Sequence, residues 1–374
     1  MGVIWNELFP SKLSIMIFIG YMSLFVSQGL LVTASQEKNN SYTYDTVTVV
    51  LLTEICKLLI SITLYSRENS PKNLLKDIAK DLNVMMLYFV PAFLYCLYNN
   101  LAFVNLSTFD PTTYYLLLQL RVVVTGILFQ IIFKKSLNQR QWLSLLLLTT
   151  GCMIKQINFS PMEEKQSSTS PHQTTQSFDD IEADHGMSSK NMRGFDLGIS
   201  TLFILAQTIC SCLAGVYNEY LLKDRGSEVN IFIQNVFMYL DSIICNAVIL
   251  LLQGNLLNAL SLNSLKSLCR ITVIIIIFNN AAIGIVTSFF LKYMNSILKT
   301  FASALELVFT AILSYILFSI PIYLNTALSI LIVSVAIYLY TQSPVVNLGK
   351  IKSYQVSENN VSTEKLLTDN DIDV

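Results

Sequence analysis

The chain has 374 residues, of which 53% are hydrophobic and only 13% are charged, and its mean hydropathy is +0.54. Ordinary soluble domains are roughly 25% charged, so this composition excludes a soluble globular protein and predicts one that is embedded in a lipid bilayer. The formal net charge of -1 gives no support to a nucleic-acid partner, and none is predicted.

Apolar runs long enough to cross a bilayer, which takes about 20 residues of helix, recur along the whole chain. In order, the predicted spans are 13–33, 46–65, 84–106, 112–133, 139–157, 195–222, 231–253, 270–291, 296–319 and 322–341. The first run is too long for the apolar part of a usual signal peptide, and only Lys12 precedes it closely. We therefore predict an all-α integral membrane fold of ten transmembrane helices.

Basic residues are concentrated in alternate connections between these spans. Lysine and arginine recur in 66–83, 134–140 and 223–230, whereas 107–111 and 320–321 have none. Cytosolic loops carry the excess of positive charge. This pattern predicts that both termini are cytosolic, as an even number of spans requires.

Two polar segments are not part of the helical core of the predicted transporter domain, residues 1–341: one is a loop between its two halves, and the other follows the domain. Residues 158–194, between spans five and six, are rich in Ser, Thr and Gln, and residues 342–374 follow the last span. Such compositions bury too little apolar surface to fold alone. We predict a flexible lumenal loop and a flexible cytosolic tail. The sequence leaves open what the loop does and whether Asn39 or Asn158 is glycosylated.

A cation lies inside an apolar run in each half of the chain. Arg121 is at the centre of span four, and Lys299 lies in span nine. Asn99-Asn100 in span three corresponds to Asn279-Asn280 in span eight. A charge at this depth costs several kcal/mol, about 3 on the mildest scales, unless it faces a wet cavity. Since five is odd, matching halves of five spans predict an inverted repeat around one central anion site.

Polar residues at helical spacing suggest the walls of that site. They share faces of spans three, four, six, seven, eight and nine, and include Tyr95, Asn99, Tyr114, Gln207, Ser211, Asn235, Tyr239, Asn280, Thr287 and Lys299. A single stripe is more typical of hydrogen bonds between helices. Several stripes together with two deep cations favour a binding site instead. Arginine clamps phosphate oxygens and lysine adds a point charge, so the residues predict a carrier of a phosphorylated metabolite.

We predict no catalytic residue, metal or cofactor. Cys210 and Cys212 are interpreted as small packing residues, because no nearby histidine or cysteine completes a metal site. Both histidines lie in the polar loop. A membrane-embedded transferase would need an acid–base or metal constellation near a membrane face, and the spans contain none. A scaffold that binds other proteins through its tail would leave the deep cations unexplained.

Four motifs resemble the nucleotide-sugar transporter family of the drug/metabolite transporter superfamily. They are Tyr98-Asn99-Asn100-Leu101-Ala102-Phe103, Gln119-Leu120-Arg121, Ala214-Gly215-Val216-Tyr217-Asn218-Glu219 and Lys292-Tyr293-Met294-Asn295-Ser296-Ile297-Leu298-Lys299. They look like the matching stretches of CMP-sialic acid and UDP-galactose carriers. The resemblance runs from the first span to about Gln342.

The resemblance implies roles for particular residues. Positions matching Asn99, Tyr114, Ser211, Asn235, Tyr239, Thr287 and Lys299 line the nucleotide pocket in the family, and we add Tyr95 and Arg121 as candidates from the residue pattern. The position of Arg121 is usually lysine in the family, and that of Asp241 is usually a small residue. These two departures leave the sugar and base preference open.

The resemblance further implies import of a UDP-sugar, most closely UDP-galactose, into the Golgi lumen in exchange for UMP by alternating access. The partners are then a nucleotide sugar, a nucleoside monophosphate and the lipid bilayer. The alternatives are a carrier of another UDP-sugar or CMP-sugar, or of a different small metabolite on the same scaffold. The sequence leaves the choice between monomer and homodimer open.

Overall fold

A computed structural model describes residues 9, 11–35, 46–108, 114, 117–156, 188–252, 254, 270–318 and 323–347. In these segments all regular structure is helical, and no strand occurs. The predicted loop up to residue 187, the predicted tail from residue 348, and Asn39 and Asn158 lie outside the described residues.

The helices are named α1 to α11 in chain order. They are α1 Lys12–Ser35, α2 Thr46–Glu68, α3 Leu74–Lys80, α4 Leu82–Thr108, α5 Arg121–Phe133, α6 Gln139–Gln156, α7 Ser188–Tyr220, α8 Ile231–Leu252, α9 Ile271–Tyr293, α10 Ser296–Phe318 and α11 Leu324–Thr341. A short 3₁₀ turn, Pro71–Asn73, precedes α3, and a π-turn, Leu221–Arg225, extends α7.

Six of the described helices are long and apolar enough to cross a membrane, namely α2, α7, α8, α9, α10 and α11. The segments Pro71–Lys80 and Leu82–Tyr98 together pass the same test but are bent by 80°. Helices α1 and α5 contain shorter apolar segments. The structure therefore supports a multi-pass, all-helical membrane protein, and the count of ten spans stays a prediction.

The bounds of two helices differ clearly from the predicted spans. The sequence predicts one helix over 112–133, but a turn at Gln119 and Leu120 interrupts it, and α5 begins at Arg121. Here Val122 N–H donates to the carbonyl of Gln119 and Leu120 N–H to that of Leu117, which is the tighter 3₁₀ pattern. Helix α7 begins at Ser188 rather than 195, since adding residues to a formed helix costs little.

Helix packing brings the two halves of the chain together in one bundle. Helix α6 packs on α11, α4 on α7 and α8, α9 on α1 and α2, and α2 on α8. Helix α5 contacts α6, α7 and α10, and α10 also contacts α1 and α11. One apolar cluster centres on Phe129, Phe290 and Phe301, and a second on Tyr65, Leu222 and Phe237.

The contact between α6 and α11 depends on a missing side chain at Gly151. A β-carbon there would lie 3.0 Å from Val333 Cγ2, 3.2 Å from Ile332 Cγ2 and 3.3 Å from the backbone nitrogen of Val333. Overpacking of this kind costs about 1–3 kcal/mol. We expect Gly151→Ala to lower the thermal unfolding temperature of the detergent-solubilised protein relative to Gly20→Ala, because nothing lies within 4 Å of a β-carbon at Gly20. Equal midpoints for the two variants would contradict this.

Candidate functional site

A polar cavity of about 110 Å³ lies among α4, α5, α7 and α10. Its polar walls include Tyr95, Gln119, Arg121, Thr125, Ser211 and Lys299. We call it the cation cavity. Four of the predicted site residues, Tyr95, Arg121, Ser211 and Lys299, therefore line one space, and they come from four different helices.

Arg121 is positioned by the helix break that precedes it. Two side chains donate hydrogen bonds to its carbonyl: Thr125 Oγ1 at 2.7 Å from the same helix, and Cys212 Sγ at 3.2 Å from α7. The Cys212 bond ties the first turn of α5 to α7. The guanidinium, on the wall of the cavity, makes no ion pair with any described residue.

Lys299 is held in the first turns of α10. Asn295 caps this helix, because its Oδ1 accepts the backbone N–H of Leu298 at 2.7 Å. The backbone N–H of Ser296 donates to Glu219 Oε2 at 2.7 Å. The start of α10 is thus fixed by two side chains, and Lys299 projects into the cavity from a rigid helix end. The hydroxyl of Ser296 is buried on the cavity wall without a hydrogen-bond partner.

The cation cavity has two positively charged side chains on its walls. Arg121 and Lys299 are close enough to repel each other, and neither has an ion-pair partner within 4 Å among the described residues. Glu306 is close enough to Arg121 and Lys155 to interact with them electrostatically, but it forms no ion pair within 4 Å with any described residue. Because two unpaired cations in a protein interior are costly, this arrangement favours an anionic ligand such as a phosphate or diphosphate.

A second cavity, of about 300 Å³, lies among α1, α2 and α9. Its polar walls are Gln28, Thr53, Glu54, Lys57 and Asn280, and we call it the Lys57 cavity. Lys57 Nζ donates to Glu54 Oε1 at 2.6 Å and lies 5.3 Å from the ring centre of Tyr239 on α8. Gly284 makes room for the lysine stem, since a β-carbon there would lie 2.7 Å from Lys57 Cδ.

Two tyrosines lie beside the cavities. Tyr95 lines the cation cavity, and the ring of Tyr239 lies against Lys57. The Tyr239 hydroxyl is buried, and a β-carbon at Gly284 would lie 3.2 Å from it.

The remaining predicted site residues lie elsewhere or are not described. Tyr114 is buried, and its hydroxyl accepts a hydrogen bond from Gln207 Nε2 at 2.8 Å. Asn235 is buried with an unpartnered Nδ2. Thr287 is half-buried on α9, close in sequence to Gly284. The side chain of Asn99 lies outside the described residues. Binding roles for these four residues stay predictions.

Sequence reasoning did not place Lys155 near the site. Lys155 interacts electrostatically with Glu306 and with Cys152, which lines the cation cavity. A lysine at the end of an apolar run is usually an interfacial anchor, so only packing reveals this position. Glu54 and Lys57 are not among the predicted site residues, yet this ion pair lines the Lys57 cavity. The unusual Asp241 is buried on α8 with an unpartnered Oδ2.

Comparison with known proteins identifies the family. The profile of the family described as nucleotide-sugar transporter matches residues 11–341. The UDP-galactose transporter senju of Drosophila melanogaster is 69% identical over 94% of this chain and 92% of its own length. CMP-sialic acid transporter 1 of Oryza sativa subsp. japonica is 30% identical over 79% of this chain and 83% of its own length. The corresponding Arabidopsis thaliana protein is 26% identical over 78% and 79%.

The fold also has a solved counterpart. One crystal structure covers 89% of this chain and 98% of its own, with a TM-score of 0.58 and 11% sequence identity. At this identity the likeness concerns the fold alone.

Proposed function

Because this chain belongs to the nucleotide-sugar transporter family, we propose that its cargo is UDP-galactose, carried into the Golgi lumen in exchange for UMP. The chain is a transporter rather than an enzyme, as are its relatives. The 69% identity to a UDP-galactose transporter over nearly the whole chain supports this cargo.

The observation that carries the proposal is the pair of unpaired cations. Arg121 and Lys299 come from opposite halves of the chain and line one cavity. A guanidinium can hold two oxygens of a diphosphate, and an ammonium can neutralise a third. With no ligand bound, the cations repel each other, so an empty carrier would change conformation reluctantly. Obligatory exchange of one phosphorylated compound for another follows from that cost.

The uridine and galactose groups need more room than the cation cavity provides. Ligand sites usually begin at roughly 300 Å³, and the cation cavity has only about 110 Å³. We assign one end of the substrate to the Lys57 cavity, where Glu54 and Asn280 can bond to hydroxyls or to a base edge. Tyr239 offers an aromatic face beside it. Specificity for sugar and base would then be decided largely by α1, α2 and α9.

The pattern of helix contacts supports an inverted repeat of two five-span halves, with spans α1, α2, α4, α5 and α6 in the first and α7 to α11 in the second. In such a repeat α1 corresponds to α7, α4 to α9 and α5 to α10. The contact between α4 and α7 should then have a counterpart between α9 and α1, and the contact between α5 and α7 one between α10 and α1. Each of these contacts is present. We propose alternating access by rocking of these halves around the cation cavity, with both termini cytosolic. The site lies within one chain, so transport does not require a homodimer.

Uptake by proteoliposomes loaded with UMP tests the cargo. The vesicles are offered radiolabelled UDP-, CMP- and GDP-sugars, and empty vesicles serve as the control. We expect saturable uptake of UDP-galactose that is faster with UMP inside. If another UDP-sugar or a CMP-sugar is taken up preferentially, the proposed cargo is wrong but the proposed binding site still stands. Equal uptake by loaded and empty vesicles would rule out the exchange for UMP. If no nucleotide sugar is taken up, the proposal is refuted.

Gly284 provides a test of the Lys57 cavity. A β-carbon at this position would lie 2.7–2.8 Å from the lysine stem, so Gly284→Ala should displace Lys57 from Tyr239 without removing any polar group. We expect KM for UDP-galactose to rise about fivefold to thirtyfold, as for one lost contact of about 1–2 kcal/mol. Gly20→Ala is the matched control because its β-carbon meets nothing within 4 Å. An unchanged KM in Gly284→Ala would mean that the Lys57 cavity does not bind the substrate.

A further inference from the structure

The chain does not leave the bundle where its last helix ends. Residues Ser343–Asn347, which we call the C-terminal strap, follow α11 and lie against other elements. Gln141 Nε2 donates to the carbonyl of Ser343 at 3.0 Å, and Asn295 Nδ2 donates to that of Val345 at 2.7 Å. Asn347 is only 4% exposed. These residues belong to the segment 342–374, for which the sequence predicts a flexible tail.

The strap completes a buried ion pair. Glu219 and Lys223 have side chains that are 0% exposed, and Nζ lies 2.8 Å from Oε1. Lys223 donates its other two N–H groups to the carbonyls of Met294 and Asn347. Asn347 Nδ2 in turn donates to Glu219 Oε1 at 2.8 Å. Every N–H of the buried ammonium is therefore satisfied, and one of its partners is supplied by the strap.

This network forms one wall of the substrate site. The second carboxylate oxygen of Glu219 accepts the backbone N–H of Ser296, and Ser296 itself lines the cation cavity. Lys299 follows one turn later on the same helix. The strap, the ion pair and the start of α10 are thus connected by hydrogen bonds up to the cavity.

The strap also joins the two halves of the chain. On one side it is bonded by Lys135, between α5 and α6, whose Nζ donates to Asn347 Oδ1 at 3.0 Å and to the carbonyl of Val346 at 3.3 Å. On the other side it is bonded by Glu219, Lys223 and Asn295 of the second half. An opening of the cation cavity towards this face would have to separate these groups.

We propose that the C-terminal strap is a gate latch, which holds the two halves together beneath the cation cavity and detaches when the cavity opens to that face. This rests on the proposed transport by alternating access. Weakening the strap should increase the population that is open to its face. Loss of the hydrogen bonds of one side chain should shift that population about fivefold.

Two native cysteines can report the opening. Cys152 and Cys212 line the cation cavity, and an anionic, membrane-impermeant methanethiosulfonate suits its positive charge. Cys96 and Cys245 lie outside the residues that line it and serve as internal references. The reagent is added to the strap face of oriented vesicles that contain the full chain, and the labelled peptides are quantified by mass spectrometry.

The variants remove strap bonds from opposite sides. Asn347→Ala removes the bonds to Glu219 and Lys135, whereas Lys135→Ala removes two bonds from the exposed side without touching the buried pair. Thr341→Ala is the matched control, because its hydroxyl bonds only to the carbonyl of Tyr338 in the same helix. We expect both strap variants to label Cys212 and Cys152 about fivefold faster, and Thr341→Ala to match the parent chain.

The latch would be overturned if both strap variants elute as folded proteins and their cavity cysteines, Cys152 and Cys212, are labelled at the same rate as in the parent chain. Faster labelling that includes Cys96 and Cys245 to the same extent would also overturn it, because it would mean general loosening. Labelling needs no transported cargo. Faster labelling of the cavity cysteines in a protein that takes up no UDP-galactose would therefore support the latch while refuting the cargo.

Discussion

Lys299→Ala is expected to reduce uptake of UDP-galactose on the order of a hundredfold. Truncating one partner of a buried charge pair costs about 2–5 kcal/mol, and tenfold in affinity corresponds to about 1.4 kcal/mol. The loss should be large because Lys299 lines a cavity of about 110 Å³, from which no described carboxylate reaches it. Arg121→Ala should have a similar effect. The measurement is initial uptake by UMP-loaded proteoliposomes.

The controls separate charge from shape. Arg121→Lys keeps the charge and the residue usual in the family, so it should retain much of the activity while losing the planar fork. Lys76 on α3 is exposed, and Lys76→Ala should behave like the parent chain. If the Lys299→Ala protein is folded and its uptake is normal, the cation cavity is not the substrate site. Equal losses in Lys76→Ala would mean that general surface charge matters instead.

Lys223→Met is expected to be among the most destabilising single substitutions in the chain. It leaves the Glu219 carboxylate buried without its cation, because both side chains are 0% exposed. Breaking a buried ion pair from one side costs about 3–5 kcal/mol. The thermal unfolding midpoint in detergent should fall strongly, and Glu219→Gln should also lower it.

A double variant distinguishes lost charge balance from lost packing. Glu219→Gln/Lys223→Met leaves no unpaired charge, so it should be clearly less destabilised than the two single effects added together. Arg225→Gln is the control, because Arg225 is exposed on the same π-turn and bonds only to Tyr220. Additive effects in the double variant would show that the pair contributes no charge coupling.

The sequence predicted the helices well where apolar runs were bounded by charged or polar residues. Span nine, predicted over 296–319, is helix α10, Ser296–Phe318. The two deep cations that the sequence singles out, Arg121 and Lys299, line one cavity, and their role in binding stays a prediction. Hydropathy could not reveal the turn before Arg121, because the residues on both sides of it are equally apolar. That turn depends on contacts such as the Cys212 bond to the Arg121 carbonyl.

Tertiary partners of polar residues were beyond the reach of the sequence. Glu219 and Lys223 have the spacing of an ordinary surface pair on a helix, yet both are buried. Tyr114 was grouped with the site by its polar stripe and by family resemblance, whereas its hydroxyl bonds to Gln207. A stripe identifies a helix face that needs partners, but it does not say whether these are ligand or protein.

The strap has a practical consequence for where this protein can be cut or fused. The family match ends at residue 341, and a chain shortened to that point would keep every helix of the bundle. It would nevertheless lose Asn347, and with it one acceptor of Lys223 and one donor to Glu219. Expression boundaries and fluorescent tags should therefore be placed after Asn347, since this polar residue beyond the last described helix is buried in the protein interior.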